Sequence, residues 1–160
     1  MTNPAGAPHS GQTLFLDDLK VGDVFTSGEH RIDAGQIREF ARQFDPQVFH
    51  LDAEAAKQTF FGELVASGWH TAAITMRLLV GGGLPLAGGL IGAGSSLEWP
   101  NPTRPGDVLR VESEILAINP SRSRPDRGSM RVRSRTLNQR GETVQIAETK
   151  VVVFRRPAPA

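Results

Sequence analysis

The sequence contains no cysteine among its 160 residues. This absence excludes disulfide bridges, a thiol nucleophile, iron–sulfur clusters and every zinc site with cysteine ligands. It agrees with a reducing compartment, and we expect a cytoplasmic location. A strong charge of one sign is also lacking, because 18 basic and 17 acidic residues leave a formal net charge of +1. Composition therefore gives no reason to expect a nucleic-acid or membrane partner.

Long apolar runs are scarce as well. The N-terminus has no basic segment followed by an apolar one, so no secretory signal is expected. Residues 78–97 carry no formal charge and are long enough for a bilayer, but seven glycines and Pro85 interrupt them. We therefore interpret this stretch as a helix end, a loop and the start of a strand.

The distribution of Gly, Pro and Ser indicates one globular domain. Residues 1–13 predict a disordered N-terminal tail, residues 14–156 a single domain, and residues 157–160 a frayed C-terminus. A domain of this length can bury a sufficient core without a metal or disulfide.

The first half of the domain predicts helices. Asp33 can cap a helix with an apolar stripe, Gln36 is its capping-box partner, and Pro46 should end it. Asp52 is a second N-cap candidate. Residues 69–80 are apolar or small on nearly every side, so we expect other structure to surround that helix.

The second half of the domain predicts strands. Residues 107–118, 128–138 and 143–154 are rich in β-branched and alternating residues. Helices early in the chain and antiparallel strands late in it make an α+β domain, with the strands folded around the one buried helix.

Four histidines are the first candidates for chemistry. His9 lies in the predicted tail and His30 is expected at the surface, whereas His50 and His70 flank helices. No His-x₃-His or His-Glu-x-x-His spacing occurs, so no metal site is expected.

Asp45 and His50 form the most informative pair. On a continuous helix they would point about 140° apart. Because Pro46 breaks the helix, the loop can turn both side chains into one cavity, where they could hold a water molecule and divide acid and base roles. The spacing alone also permits a structural alternative, in which Asp45 binds nearby backbone N–H groups and His50 is half-buried.

Ser67 and Gly68 precede the buried helix, followed by Trp69. Glycine allows close approach to the backbone, and the first N–H groups of a helix are unpaired, so a carbonyl oxygen that gains charge could be stabilised there. Alternatively, Ser67 is an N-cap and Gly68 a packing residue. Ser67 as an acyl-transfer nucleophile is less supported, because no Gly-x-Ser-x-Gly motif is present.

Arg131 and Arg133 belong to an arginine cluster between residues 122 and 135. A strand places them on one face, where they could meet phosphates. The alternative is a solvated sheet face.

Three segments together resemble one known family. They are F-A-R-Q-F-D-P-Q-V-F-H-L-D, G-E-L-V-A-S-G-W-H-T-A and N-P-T-R-P-G-D-V-L-R. In this order and spacing the chain resembles the MaoC-like dehydratases, relatives of the (R)-specific enoyl-CoA hydratases, over about residues 14–154. The resemblance implies a hot-dog fold, in which an antiparallel sheet wraps a long helix, and a homodimer or a dimer of dimers.

The resemblance also implies a site. The family's Asp-x₄-His dyad falls on Asp45 and His50, and its helix-terminal glycine falls on Gly68. Three departures occur: Gln47-Val48 replaces Asn-Pro, Ser67 replaces the usual histidine, and Ala73 stands where some hydratases have serine.

The implied activity is reversible hydration of an enoyl-CoA, with the thioester as substrate and no further cofactor. A hot-dog thioesterase and a non-catalytic acyl-CoA-binding protein are the alternatives. Phe49, Phe60, Phe61 and Trp69 could line an acyl tunnel or pack in the core.

Overall fold

The computed structural model describes residues 11–160. The predicted tail therefore lies almost wholly outside the described residues, and residues 155–160 have no regular secondary structure. The main elements are β1 (Val24–Arg31), α1 (Ala34–Phe44), α2 (Val48–Leu51), α3 (Ala53–Ala56), α4 (Gly68–Leu78), β2 (Ile91–Glu98), β3 (Val108–Pro120), β4 (Arg127–Leu137) and β5 (Thr143–Phe154).

The strands form one antiparallel sheet in the order β1-β3-β4-β5-β2. Side chains alternate between its faces, as the two-residue period of a strand requires. In β4, Met130 and Val132 are buried on the inner face, whereas Arg131 and Arg133 are exposed on the outer one. The α+β prediction is confirmed.

Helix α4 lies against the inner face of this sheet. Ile74 and Leu78 join the hydrophobic core, which also contains Ile115 and Val132 of the sheet. The opposite side of α4 is open in the single chain, where Trp69 and Met76 are 60% and 50% exposed. The sheet and α1 thus surround this helix as expected, except on one side that a single chain leaves exposed.

The predicted helix starts and stops in the first half are confirmed. The Asp33 side chain accepts the Gln36 N–H, and the Asp52 side chain accepts two N–H groups of α3. α1 ends at Phe44. The next residue, Asp45, has a non-helical backbone (φ −154°, ψ 69°), as its position before Pro46 requires. Gln36 does not complete a capping box: its amide donates to the Arg31 carbonyl and to the Asp33 carboxylate.

The three predicted strands are confirmed to within two residues at each end. Residues 78–97 contain the end of α4, a wide turn at Leu79–Gly83 and most of β2. No helix in the described part of the chain is long and apolar enough to cross a membrane.

Candidate active site

Asp45 and His50 come together because the chain turns between them. Asp45 follows the last turn of α1, and the one-turn helix α2 then carries His50 back toward it. Gln47 donates its amide to Asp45 Oδ1 at 2.7 Å. His50 Nε2 lies 3.2 Å from Asp45 Oδ2.

The orientation of the His50 ring is fixed by its other nitrogen. Nδ1 lies 2.7 Å from the Val65 carbonyl oxygen, and a carbonyl can only accept, so Nδ1 carries a hydrogen. This bond turns Nε2 toward Asp45 Oδ2, 3.2 Å away. His50 is only 4% exposed. The structural alternative fits neither residue, because the Asp45 carboxylate binds side-chain donors and His50 is fully buried.

Hydrogen bonding keeps Asp45 ionised. Burial acts to raise the pKa of this carboxyl, but hydrogen bonds from Gln47 and Ser67 and the nearby His50 together hold it below its usual value. The ionised carboxylate accepts hydrogen bonds, so a water molecule in the cavity can donate a hydrogen to it.

Ser67 is buried next to Asp45, at the start of α4. Its oxygen accepts the Trp69 N–H at 3.2 Å, which confirms it as the N-cap of α4. The side chain is 0% exposed and also hydrogen-bonds to Asp45. Its hydroxyl is thus engaged and does not border the cavity described below; contact of Ser67 with substrate stays a prediction. The same burial argues against a nucleophilic role.

Gly68 is the first residue of α4, so its N–H has no partner within the helix. The residue also packs tightly, because a Cβ placed on it would lie 2.7 to 3.0 Å from ring carbons of Trp99. Glycine at this position is thus required for the close approach of the indole, as the packing alternative expected. This role is compatible with an N–H that faces a ligand.

These residues border one cavity of about 710 Å³, here called the dyad cavity. Phe60 and Trp69 are 96% and 60% exposed, so they border its opening and do not pack in the core. The lining combines Asp45, His50 and Gly68 with Phe49, Phe60, Phe61, Trp69, Thr71, Trp99 and Thr103.

Arg131 and Arg133 do not reach this cavity within one chain. They lie on the outer face of β4, whereas α4 covers the inner face. Arg133 is paired with Glu148 through its Nε and a terminal nitrogen, at 3.0 and 2.8 Å. Contact with coenzyme A phosphates stays a prediction, and it would need the arginines of a second copy.

The other described histidines lie outside the dyad cavity. His30 is hydrogen-bonded to Gln36 at 2.8 Å. His70 is 8% exposed and stacks on Phe40, with ring centroids 4.5 Å apart. Burial, with smaller contributions from His30 and His50, lowers the pKa of His70 to about 4. Across residues 11–160, no group of three His, Asp or Glu side chains could hold a metal ion.

Sequence reasoning missed Trp99 and Gln145. Trp99 donates its indole N–H to Gln145 Oε1 at 2.9 Å, across 46 positions of the chain. No local spacing relates these two residues, so only the pairing of β2 with β5 brings them together. The proline-rich segment after Trp99 was a weak signal for a loop at the site.

A family model for the MaoC-like domain matches residues 20–138. The chain belongs to this family. The crystal structure of the MaoC-like dehydratase from Rhodospirillum rubrum is 66% identical, covers 91% of this chain and 99% of its own, and superposes with a TM-score of 0.89. The expected hot-dog fold is thereby confirmed.

Two further relatives have named activities. A 3-hydroxybutyryl-CoA dehydratase of Methylorubrum extorquens is 30% identical over 115 residues, which is 71% of each chain. The (R)-hydratase from A. caviae involved in PHA biosynthesis is 28% identical, covers 87% of this chain and 98% of its own, and has a TM-score of 0.68. The MaoC-like chain is thus similar to both a dehydratase and a hydratase.

Proposed function

We propose that this protein is an enoyl-CoA hydratase/dehydratase that adds water reversibly across the α,β double bond of an acyl-CoA. The observation that carries the proposal is the buried Asp45–His50 pair, with Nε2 and Oδ2 only 3.2 Å apart in a cavity that also contains Gly68. Membership of the MaoC-like family, and the activities named for two relatives, point to the same reaction.

Water is activated between the two side chains. Bound between Asp45 and His50, it adds its oxygen to the β-carbon, and one member of the dyad takes its proton. A proton from the dyad is delivered to the α-carbon. One water molecule is consumed, and the dyad ends with the protons it began with.

Charge develops on the thioester oxygen as the β-carbon is attacked. The unpaired N–H of Gly68, at the positive end of the α4 dipole, stabilises this oxygen. The site requires no redox or metal chemistry for these steps, and the CoA thioester is itself the substrate. By likeness to the (R)-hydratase, the product is the (R)-3-hydroxyacyl thioester.

Crotonyl-CoA tests the proposal directly. Hydration removes the conjugated absorbance without releasing free thiol, and this is the expected result. Release of coenzyme A with the double bond intact would identify a thioesterase. Tight acyl-CoA binding without either reaction would identify the non-catalytic alternative, which Ala73 and the altered dyad loop keep open.

The protein is further proposed to form a homodimer. Among residues 11–160, β2 is an edge strand that pairs only with β5, and Ile91 on it is 41% exposed. The uncovered side of α4 adds Trp69 and Met76 to the exposed apolar surface, and the following turn adds Val80. Such edges invite pairing with a second copy. Sedimentation velocity at micromolar concentration should give twice the mass of one chain, and a monomer would contradict this proposal.

A further inference from the structure

A second cavity lies beside the dyad cavity on the inner face of the sheet. It has a volume of about 380 Å³ and a largely aliphatic lining that includes Leu79, Leu97, Val132 and Val151. We call it the far cavity. No residue of the Asp45–His50 dyad borders it.

Two elements, and the segment at the end of β2, run past both cavities. On α4, Thr71 borders the dyad cavity and Thr75, one turn later, borders the far cavity. On β5, Val144 borders the first and Gln145 the second. Trp99 borders the first, while Leu97 of β2 borders the second. The two spaces are therefore consecutive along one groove.

A chain of hydrogen bonds joins a residue that borders the dyad cavity to residues that border the far cavity. The Trp99 indole N–H donates to Gln145 Oε1 at 2.9 Å, and Gln145 Nε2 donates to Thr75 Oγ1 at 3.3 Å. Thr75 Oγ1 in turn lies 2.6 Å from Thr136 Oγ1. Gln145 and Thr75 are 1% and 3% exposed, so loss of these bonds would leave buried polar groups unpaired. Gly68 packs against the same indole, next to ring carbons that include the neighbour of the N–H.

We propose that Trp99, held by Gln145 and Thr75, is a partition that closes the dyad cavity toward the far cavity and restricts the substrate to short enoyl groups. The inference rests on the proposed function, which it deepens by naming the substrate class. A site with only one cavity would accept long chains or exclude them by its end wall. Here the space for a long chain exists, and a hydrogen-bonded side chain separates it from the dyad.

The length of the groove sets the expected limit on the length of the acyl chain. Gly68 and Thr75 are seven residues apart, which is about 10 Å along a helix. With the thioester oxygen at Gly68, an extended chain advances roughly 1.3 Å per carbon for C–C bonds of about 1.5 Å. A four-carbon enoyl group is therefore shorter than the distance from Gly68 to Thr75, whereas a chain of about eight or more carbons extends past Thr75 into the far cavity.

The test compares kcat/KM for trans-2-butenoyl-CoA and trans-2-decenoyl-CoA in the wild type and in Trp99→Ala. The wild type should favour the short substrate, and Trp99→Ala should raise the decenoyl-to-butenoyl ratio by about tenfold or more, a change typical of altered apolar pockets. Gln145→Leu keeps the indole but removes its anchor, so it should raise the ratio by a smaller factor. Trp99→Phe serves as a second probe should the alanine variant fail to fold.

Leu97→Ala is the matched control, because it enlarges the far cavity and leaves the partition intact. Its ratio should equal that of the wild type. An unchanged ratio in both Trp99 variants, or an equal rise in Leu97→Ala, would overturn the partition.

Calorimetric binding of butyryl-CoA and decanoyl-CoA separates this inference from the proposed function. A protein without hydratase activity whose Trp99→Ala variant gains affinity for decanoyl-CoA alone would contradict the function and support the partition. Hydratase activity, with no gain of decanoyl-CoA affinity in any Trp99 or Gln145 variant, would support the function and contradict the partition. Failure of the wild type and its variants to bind either thioester would overturn both.

Discussion

Asp45→Asn and His50→Ala should each lower kcat for hydration of crotonyl-CoA by at least about 100-fold, the lower end of general acid–base effects. Asparagine keeps the shape of the carboxylate but cannot take a proton. Alanine removes Nε2, which lies 3.2 Å from Asp45 Oδ2 and would hold the water from its other side. Steady-state kinetics with the purified variants measures the change.

Folding must be shown to survive in both variants. His50→Ala also loses the hydrogen bond to the Val65 carbonyl, which is worth roughly 1 kcal/mol, so a small drop in thermal stability is expected. His30→Ala is the control, since His30 lies on β1 outside the dyad cavity and should keep normal turnover. Near-normal kcat in a folded Asp45 or His50 variant would contradict the dyad.

The helix ends and the long strands could be predicted because their signals are local. Asp33 and Asp52 cap the helices that follow them, and Pro46 marks where α1 must stop. β3, β4 and β5 carry alternating burial that the sequence displays directly. β2 is different: its glycines and serines show no alternation, and it is a strand because β5 pairs with it. Its assignment depends on tertiary contacts.

The residues of the candidate site likewise divide into those that local spacing could predict and those that only the folded chain brings together. The Asp45–His50 pair could be found because five positions and one proline relate the two residues. Trp99 lies 31 positions after Gly68 and packs against it only in the folded chain. The place of the arginine cluster relative to the cavity could not be predicted for a related reason. Periodicity shows that Arg131 and Arg133 share a face, but it does not show on which side of the sheet the cavity lies.

The second large effect concerns stability and depends on His70. Its ring is buried against Phe40, and burial lowers its pKa from 6.5 to about 4. Glu39 and Arg77 border the same cleft, as do His30 and Gln36. Nδ1 of His70 has no hydrogen-bond partner among the described residues. A proton on this ring would therefore be poorly solvated in the folded protein.

The direction of the pH effect follows from where the proton binds. Between pH 6.5 and about 4, the unfolded chain binds a proton at His70 and the folded chain does not. The free energy of unfolding therefore rises with pH across this window. The contribution of His70 is fully present above pH 6.5 and is lost progressively as the pH falls toward about 4.

His70→Phe tests this linkage, because phenylalanine keeps a ring against Phe40 and cannot bind a proton. Between pH 7 and pH 4.5 the wild type should lose about 2 kcal/mol more unfolding free energy than the variant. This magnitude follows because pH 4.5 lies about two units below the pKa of histidine in the unfolded chain. At pH 7 the variant should be as stable as the wild type or more stable, since the unpaired Nδ1 is removed. Urea unfolding at both pH values measures the difference, and an NMR titration of the His70 ring in the wild type locates its midpoint directly. Parallel loss of stability in the two proteins, together with a midpoint near 6.5, would show that the ring is accessible to protons in the folded state.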